Sequence, residues 1–300
     1  MEEGSKGTAE TAVSDPLYLL DGGALLHRLP WSLGMQFSDI CNAYKQYVLM
    51  RYGKSVVIVF DGYLDGPSIK DATHVRRNGG KGTPSVLLSV NMKLTIKKDE
   101  FLSNKMNKQR FLHMLSDSFE CAGWHTIHAH GDADLLITQT AVQASEQRDI
   151  VVIAEDTDIL ILLCFHVKLE NKQVIFQPEP KSGANRVRKW NIQATKCVLG
   201  LHVCNGLLFL HAILGCDTTS QLFEIGKGKG LTKILSNNSF MEYVQVFNNP
   251  TSLKDDIITA REKAIVSMYG GKTSDTLDDL RYRRFSEKVA NKKIVQAVHV

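Results

Sequence analysis

The chain has 300 residues, which allow one large domain or two small ones, and 43% of them are hydrophobic, which is enough for a substantial core. Its net charge of +4 is too small to indicate a polyanionic partner by itself, and its longest apolar runs fall short of the roughly 20 residues that a membrane helix needs. The polar start lacks the pattern of a signal peptide, and none of the six cysteines forms a CxxC pair. We therefore expect an intracellular protein with no membrane partner, no disulfide frame and no structural zinc.

The first part of the chain predicts a polar leader and two buried strands. Residues 1–16 are polar, and we expect them to be disordered. Residues 17–20 form an apolar run that ends in Asp21, and residues 56–60 form a second run that ends in Asp61. Between the two runs, a helical period over about residues 37–52 predicts a helix that Gly53 closes. Two predicted strands therefore end in aspartate.

Positive charge is concentrated in residues 66–110, which carry ten Lys or Arg against three Asp or Glu. One interpretation is a basic cap that holds phosphate backbone, and the other is a solvated basic excursion from the sheet. From residue 100 to residue 122 a helical period returns. It predicts core positions at Phe101, Met106, Phe111, Leu112, Leu115 and Phe119.

A third strand is predicted over residues 124–129, and a helix follows it. This helix opens at Gly131 to Asp134 and runs through about residue 145. Asp132 and Asp134 lie at its amino end, where the helix dipole favours negative charge. Capping of the helix is the alternative explanation for both aspartates.

The chain is organised around residues 150–163. Residues 150–153 are apolar and β-branched, which predicts a buried strand, and Glu155, Asp156 and Asp158 follow it. The carboxyl edge of an open α/β sheet is where ligands bind, so these acids indicate a ligand site. The alternative interpretation is a charged turn between two buried elements. After this stretch we expect a hairpin, with residues 162–169 and 173–177 on either side of residues 170–172.

The last third of the chain has the pattern of helices. Residues 206–214 are strongly apolar and predict a buried helix that leads to Asp217. Residues 226–230 alternate glycine with lysine, and the chain from residue 231 is helical in pattern and mildly basic. We expect an α/β domain over residues 17–220 and a helical part over residues 221–300.

Seven aspartates stand at the ends of predicted strands or beside the ends of predicted helices. Carboxylates brought together at one sheet edge repel one another unless cations lie among them. Oxygen-only ligands select hard ions such as Mg²⁺ or Mn²⁺, and two such ions about 4 Å apart promote phosphodiester hydrolysis. Each aspartate taken alone has a cap or a turn as its alternative explanation. The set that we predict to converge is Asp21, Asp61, Asp132, Asp134, Asp156, Asp158 and Asp217.

Four stretches, in this order, resemble motifs of the flap endonuclease/XPG-type family of structure-specific nucleases, whose core is a PIN-like domain. They are residues 57–62, 131–134, 154–158 and 214–217. The resemblance implies a PIN-like α/β fold with a largely parallel central sheet flanked by helices. It also implies a basic helical insert over residues 66–122 and a helical C-terminal part.

The same resemblance implies a divalent-metal-dependent nuclease that uses two Mg²⁺ or Mn²⁺ ions and is structure-specific on DNA rather than RNA. The implied ligands of one ion are Asp21, Asp61 and Asp134, with Asp132 close by. The implied ligands of the second ion are Asp134, Asp156, Asp158 and, more distantly, Asp217. For such a protein we expect a nuclear rather than a cytoplasmic location.

Basic residues complete the implied site. The positions that match the family's phosphate-contacting helix are Lys70 and Arg77, which are seven residues apart and so share a helix face, with Arg76 as a substitute. A solvated helix face is their alternative explanation. The glycine-rich segment that contains Lys227 and Lys229 is similar to the family's helix–two-turn–helix, which grips duplex backbone.

The sequence also departs from the family. Aspartates stand at positions 132 and 134, where the family has Glu-x-Glu, and residues 78–122 do not match its arch closely. The acid set favours the enzyme, whereas the polar leader and the divergent arch favour an alternative function, that of a catalytically inactive PIN-like scaffold that binds nucleic acid or protein.

Overall fold

A computed structural model describes residues 13–62, 84–179, 188–216, 219–236 and 240–290. The chain divides into two compact units, Met1–Val198 and Leu199–Val300. Most of the predicted leader and the first part of the predicted basic insert, residues 66–83, lie outside the described residues. The domain boundary at residue 220 and the disorder of the leader stay predictions.

The first unit is built on a six-stranded sheet. Its strands are β1 (Leu17–Asp21), β2 (Val56–Phe60), β3 (His125–His128), β4 (Ile150–Ile153), β5 (Val174–Gln177) and β6 (Trp190–Asn191). Their order across the sheet is β3-β2-β1-β4-β5-β6, and all neighbours are parallel except the pair β5 and β6. The predicted α/β fold with a largely parallel central sheet is confirmed.

Helices connect these strands. They are α1 (Gly22–Leu26), α2 (Phe37–Tyr52), α3 (Lys98–Ser103), α4 (Lys105–Glu120), α5 (Ala133–Ala144), α6 (Thr157–His166) and α7 (Ile192–Leu199). The helix predicted over residues 37–52 is confirmed, and Gly53 ends it with a φ of 74°, a conformation that glycine adopts without strain.

Both faces of the sheet are covered, which is why its strands read as continuous apolar runs. Leu20, Ile58 and Val151 pack into one large core with side chains of α2, α3 and α4. The alternate residues Leu19 and Val152 are buried as well. A sheet covered on both faces is exposed mainly at its edges. We therefore expect its functional polar side chains at the ends of the strands.

Two predictions for the first unit are wrong. The residues expected to form a hairpin instead contain the end of helix α6 and a strand, β5, that runs parallel to β4. Asp156 caps this helix by accepting a hydrogen bond from the backbone N of Asp158, at 2.8 Å. Met106 is 48% exposed and not a core residue, because the expected single helix breaks at Asn104, which caps α4.

The second unit is helical, as predicted. Its helices are α8 (Leu201–Leu214), α9 (Lys227–Ser236), α10 (Phe240–Asn248), α11 (Lys254–Met268) and α12 (Leu277–Ala290). Phe209, Phe240 and Ala264 lie in its core. None of the described helices alone is long and apolar enough to cross a membrane, although α7 and α8 taken together, as a bent pair, meet that test by length and composition.

The loops that follow β2 and β3 approach each other closely at Gly62. The backbone N of Gly62 donates to the backbone O of Gly131 at 2.8 Å, and the N of Ala129 donates to the O of Phe60 at 2.9 Å. A Cβ on Gly62 would lie 1.7 Å from the backbone O of Ala129. Only glycine therefore permits this approach, which brings Asp61 beside the start of α5.

We expect Gly62→Ala to destabilise the protein by about 2 kcal/mol or more, because its methyl group meets rigid backbone. Gly131→Ala is the matched control, since a Cβ there meets no described atom within 4 Å. The control should change the free energy of unfolding by no more than about 0.5 kcal/mol. Urea denaturation of both variants checks this, and equal effects would contradict the close approach of the two loops.

Candidate active site

The candidate site lies where the direction of the sheet changes. The chain leaves β1 on the side of β2 and later returns on the other side as β4, so the loops after β1 and β4 diverge at the carboxyl edge. In open α/β sheets such a switch point is the usual place of ligand binding. A cleft of about 720 Å³ opens there, lined by Asp21, Gly23, Ala24, His27, Arg28, Glu155, Asp156 and Thr157.

Asp21 and Asp61 face each other across Gly23. Asp21 caps α1, and its Oδ1 accepts hydrogen bonds from the backbone N of Gly23 at 2.8 Å and of Ala24 at 3.2 Å. Asp61 follows β2, and its Oδ1 accepts from the backbone N of Ala133 at 3.0 Å. A Cβ on Gly23 would lie 3.1 Å from Asp21 Oδ1 and 3.4 Å from Asp61 Oδ2, so the glycine leaves both carboxylates room.

The remaining described aspartates of the predicted set belong to two helix starts. Asp156 caps α6, and Asp158 lies in its first turn. Asp132 caps α5 through a 3.0 Å hydrogen bond from the backbone N of Asp134, which lies in the first turn of that helix. The capping explanation is therefore correct for Asp132 and Asp156, and it does not exclude a second role for their other oxygens.

The charges of three aspartates act on one another. Burial is the largest cause that raises the pKa of Asp21, to about 6, and the carboxylates of Asp61 and Asp156 raise it further. The backbone N–H groups of Ala24 and Gly23 oppose the shift. Asp21, Asp61 and Asp156 therefore share one electrostatic site, as the strand-end pattern predicted.

The donor chemistry of these three aspartates fits a hard divalent cation. All their hydrogen bonds within the described part of the chain use Oδ1, so each Oδ2 remains for another ligand. Their mutual repulsion is the kind that a bound cation relieves. In the described residues, however, no group of three Asp, Glu, His or Cys side chains is close enough to hold an ion together.

Several predicted site residues are not tested by this geometry. Lys70, Arg76, Arg77 and Asp217 lie outside the described residues. Lys227 and Lys229 belong to the first turn of α9 in the second unit, and Lys229 Nζ donates to the backbone O of Glu224 at 3.0 Å. Most of the glycine-rich segment, residues 227–230, thus lies within this helix.

A basic wall of the cleft was missed from the sequence. It consists of His27 and Arg28, in the turn after α1; Arg28 supplies its positive charge, and the charges of Lys98 and Lys108 act on His27 from nearby. Burial lowers the pKa of His27, and Lys98, Lys108 and Arg28 lower it further, so the imidazole is neutral at pH 7. The signal in the sequence was a His-Arg pair only six and seven residues after a strand-end aspartate.

Glu179 was missed for a different reason. It follows β5, and Asp21 ends β1; because β1, β4 and β5 run parallel, both acids lie toward the same edge of the sheet. The expected hairpin would have reversed this strand and sent Glu179 to the opposite edge. The residue is buried, with 5% of its surface exposed.

Comparisons with known proteins find similarity only in structure. No family model matches the chain, and no curated protein matches it. The catalytic core of Rad2 in complex with DNA substrate matches with a TM-score of 0.45 and 16% identity, over 96% of this chain and 76% of that one. The flap endonuclease of bacteriophage T5, in a complex with DNA and metal ions, matches with a TM-score of 0.46 and 15% identity, over 94% and 99% of the two chains.

The eukaryotic junction-resolving enzyme GEN-1 matches with a TM-score of 0.47 and 12% identity, over 94% of this chain and 61% of that one. The flap endonuclease/XPG-type resemblance that the sequence carries thus recurs among the structural matches. These values describe a similarity of fold alone, and the chemistry of the site has to come from its own residues.

The strained carboxyl of Asp21 predicts an unusual dependence of stability on pH. Its folded pKa of about 6 lies above the ordinary value of 3.8 for an aspartate, so its ionisation opposes folding. The cost is absent below about pH 3.8 and grows as the pH rises through 6. Asp21→Asn keeps the helix cap and removes the charge, so in EDTA at pH 7.5 it should stabilise the protein by about 2–3 kcal/mol.

Thermal unfolding at pH 7.5 and pH 4 measures this effect, with the solvent-exposed Glu170→Gln as the control for net charge. The gain from Asp21→Asn should shrink toward zero at pH 4, while the control stays near wild type at both values. A variant no more stable than wild type at pH 7.5 would show that the Asp21 charge is not strained.

Proposed function

We propose that the protein is a divalent-metal-dependent nuclease that hydrolyses phosphodiester bonds, structure-specific and acting on DNA rather than RNA. The observation that carries the proposal is the shared electrostatic site of Asp21, Asp61 and Asp156, in which burial and two neighbouring carboxylates raise the pKa of the first. Uncompensated carboxylates at a sheet edge lower the stability of the fold, and proteins keep such groups mainly where function requires them. A nuclear location accompanies this proposal.

Asp21 and Asp61 are proposed to help hold one divalent ion, and Asp156 a second, through their Oδ2 atoms, while their Oδ1 atoms stay bound to backbone N–H groups. When bound, Mg²⁺ or Mn²⁺ supplies the charge that activates water and stabilises the leaving oxygen of a phosphodiester. Asp132, Asp134 and Asp158 are proposed to complete the acidic set from the amino ends of α5 and α6. Asp217 is proposed as the most distant member.

The substrate would be held by positive charge beside these acids. Within the described cleft that charge comes from Arg28, with Lys98 and Lys108 near it. Lys70, Arg76 and Arg77 are proposed to contact the scissile phosphate, and Lys227 and Lys229 the duplex backbone. A phosphate placed between acids and bases is oriented by both, which is the main contribution of a protein to phosphoryl transfer.

A non-catalytic scaffold that binds nucleic acid or protein is the second candidate. It is favoured by one observation, that no group of three potential ligands in the described residues converges on a single point. A scaffold would keep the basic residues and the strained acids without turnover. Metal binding and catalysis therefore decide between the two functions.

The first test is metal-dependent stability. If the aspartates hold divalent ions, the melting temperature in millimolar Mn²⁺ or Mg²⁺ should exceed that in EDTA by several degrees, because a ligand that binds only the folded state stabilises it. The gain should disappear in Asp21→Asn with Asp156→Asn, in which two charges of the site are neutral. The same gain in wild type and in this variant would place the bound ions elsewhere.

The second test is cleavage. Wild type should cut labelled flap or bubble DNA in Mg²⁺ or Mn²⁺ and not in EDTA. Asp156→Asn keeps the cap of α6 but removes a charge that binds the ion, so its rate should fall by about 10³-fold or more. Binding of the same DNA in EDTA should persist, because basic residues carry most of that affinity.

Glu170→Gln serves again as the control and should cut at the wild-type rate, since Glu170 lies in the exposed turn before β5, toward the other edge of the sheet. Cleavage by Asp156→Asn at the wild-type rate would show that these acids are not catalytic. Binding without any cleavage by wild type would favour the scaffold.

A further inference from the structure

Arg28 bridges a buried carboxylate and an exposed one. Its Nε lies 2.5 Å from Oε2 of Glu179, at an angle that makes no hydrogen bond, and its Nη2 forms an ion pair with Oε1 of Glu155. The side chain of Glu179 is 3% exposed, whereas that of Glu155 is 50% exposed. One end of the guanidinium is therefore fixed in the interior, and the other faces the cleft.

The inner end is held by a hydrogen-bonded anchor. Tyr47 donates its hydroxyl to Glu179 at 2.9 Å to Oε2, and Tyr52 donates its hydroxyl to Oε1 of the same carboxylate. Both tyrosines lie on α2, which is packed in the main core. Burial raises the pKa of both tyrosines, and Glu179 raises it further, so they remain donors at any physiological pH.

The turn that carries Arg28 is fixed as well. Lys98 Nζ donates to the backbone O of Leu26 at 2.8 Å and of Leu29 at 2.7 Å, on either side of His27 and Arg28. Tyr44 also donates to the backbone O of Leu26, at 2.5 Å. The position of the guanidinium is therefore set before any ligand arrives, and that lowers the entropy cost of binding.

A guanidinium presents five N–H donors in a planar fork that matches a carboxylate or a phosphate. The pair with buried Glu179 is costly to break, because it would leave a buried charge without its partner. The pair with half-exposed Glu155 is weak, because solvent screens it. An incoming oxyanion in the cleft can therefore exchange with Glu155 alone.

We propose that Arg28 is a phosphate-binding residue of this cleft, that Glu179 is its positioning residue, and that Glu155 competes with the substrate phosphate for the same guanidinium. This inference rests on the proposed function, since it takes the ligand to be a nucleic-acid phosphodiester. It deepens that function by assigning a phosphate contact to the loop after β1. It also assigns an internal competitor to the loop after β4.

The decisive variant is Glu155→Gln, which removes the competing charge from an exposed side chain and leaves the Glu179 anchor intact. Arg28→Gln alone would leave Glu179 without its cation and destabilise the protein, so the arginine is removed together with it, as Arg28→Gln with Glu179→Gln. Glu155→Gln is then also made in this arginine-free background. Glu170→Gln controls for the change in net charge.

The measurement is the fluorescence anisotropy of a labelled flap DNA in EDTA at several salt concentrations. We expect Glu155→Gln to lower Kd about threefold to fivefold, the gain available from removing one screened ion pair. The arginine-free protein should bind about tenfold or more weakly, and its salt slope should be smaller by about one. In that background Glu155→Gln should change Kd little.

The outcomes separate this inference from the function on which it rests. Wild type that binds DNA, with Glu155→Gln at the same Kd, overturns the competition and leaves the nuclease proposal standing. An equal gain from Glu155→Gln with and without Arg28 also overturns it, because the effect would then be long-range repulsion alone. Wild type that binds no DNA at any salt concentration overturns both proposals.

Discussion

The site depends on the repulsion among the carboxylates that parallel strands bring to one edge of the sheet. Asp21, Asp61 and Asp156 end or follow three adjacent parallel strands, so the register of the sheet fixes their proximity. Each is held by a backbone N–H group and cannot turn away without losing a helix cap or a loop contact. The fold thus stores unfavourable negative charge at the place where a bound cation would relieve it.

The aspartates and the glutamates of the cleft have different partners. The aspartates stay bound to backbone N–H groups, while the arginine of the cleft pairs with glutamates, Glu155 and Glu179. Because the cation is engaged by the longer side chains, it does not neutralise the aspartates that would bind metal. An arginine paired directly with Asp21 would lower the pKa of that carboxyl, and the pKa is instead raised.

The sequence predicted the parts of the site that repeat a local pattern. An apolar, β-branched run that ends in aspartate is visible without any tertiary information, and it located Asp21, Asp61 and Asp156. It failed at helix α6, which is apolar on nearly every side and so shows no helical period. A hairpin arm predicted in place of this helix reverses the next strand and conceals Glu179. The ion pairs of Arg28 could not be predicted, because its partners lie more than 120 residues away in the chain.

These features make metal and phosphate binding interdependent in the proposed reaction. A phosphate that takes the guanidinium of Arg28 releases Glu155, whose charge then stands one residue from Asp156. That release increases the negative potential at the acids and so favours a cation there. A bound cation in turn weakens the repulsion between the acids and the phosphate. By linkage, each ligand raises the affinity for the other. The cleft would then bind substrate weakly without metal, and competition by Glu155 would determine the Kd in that state.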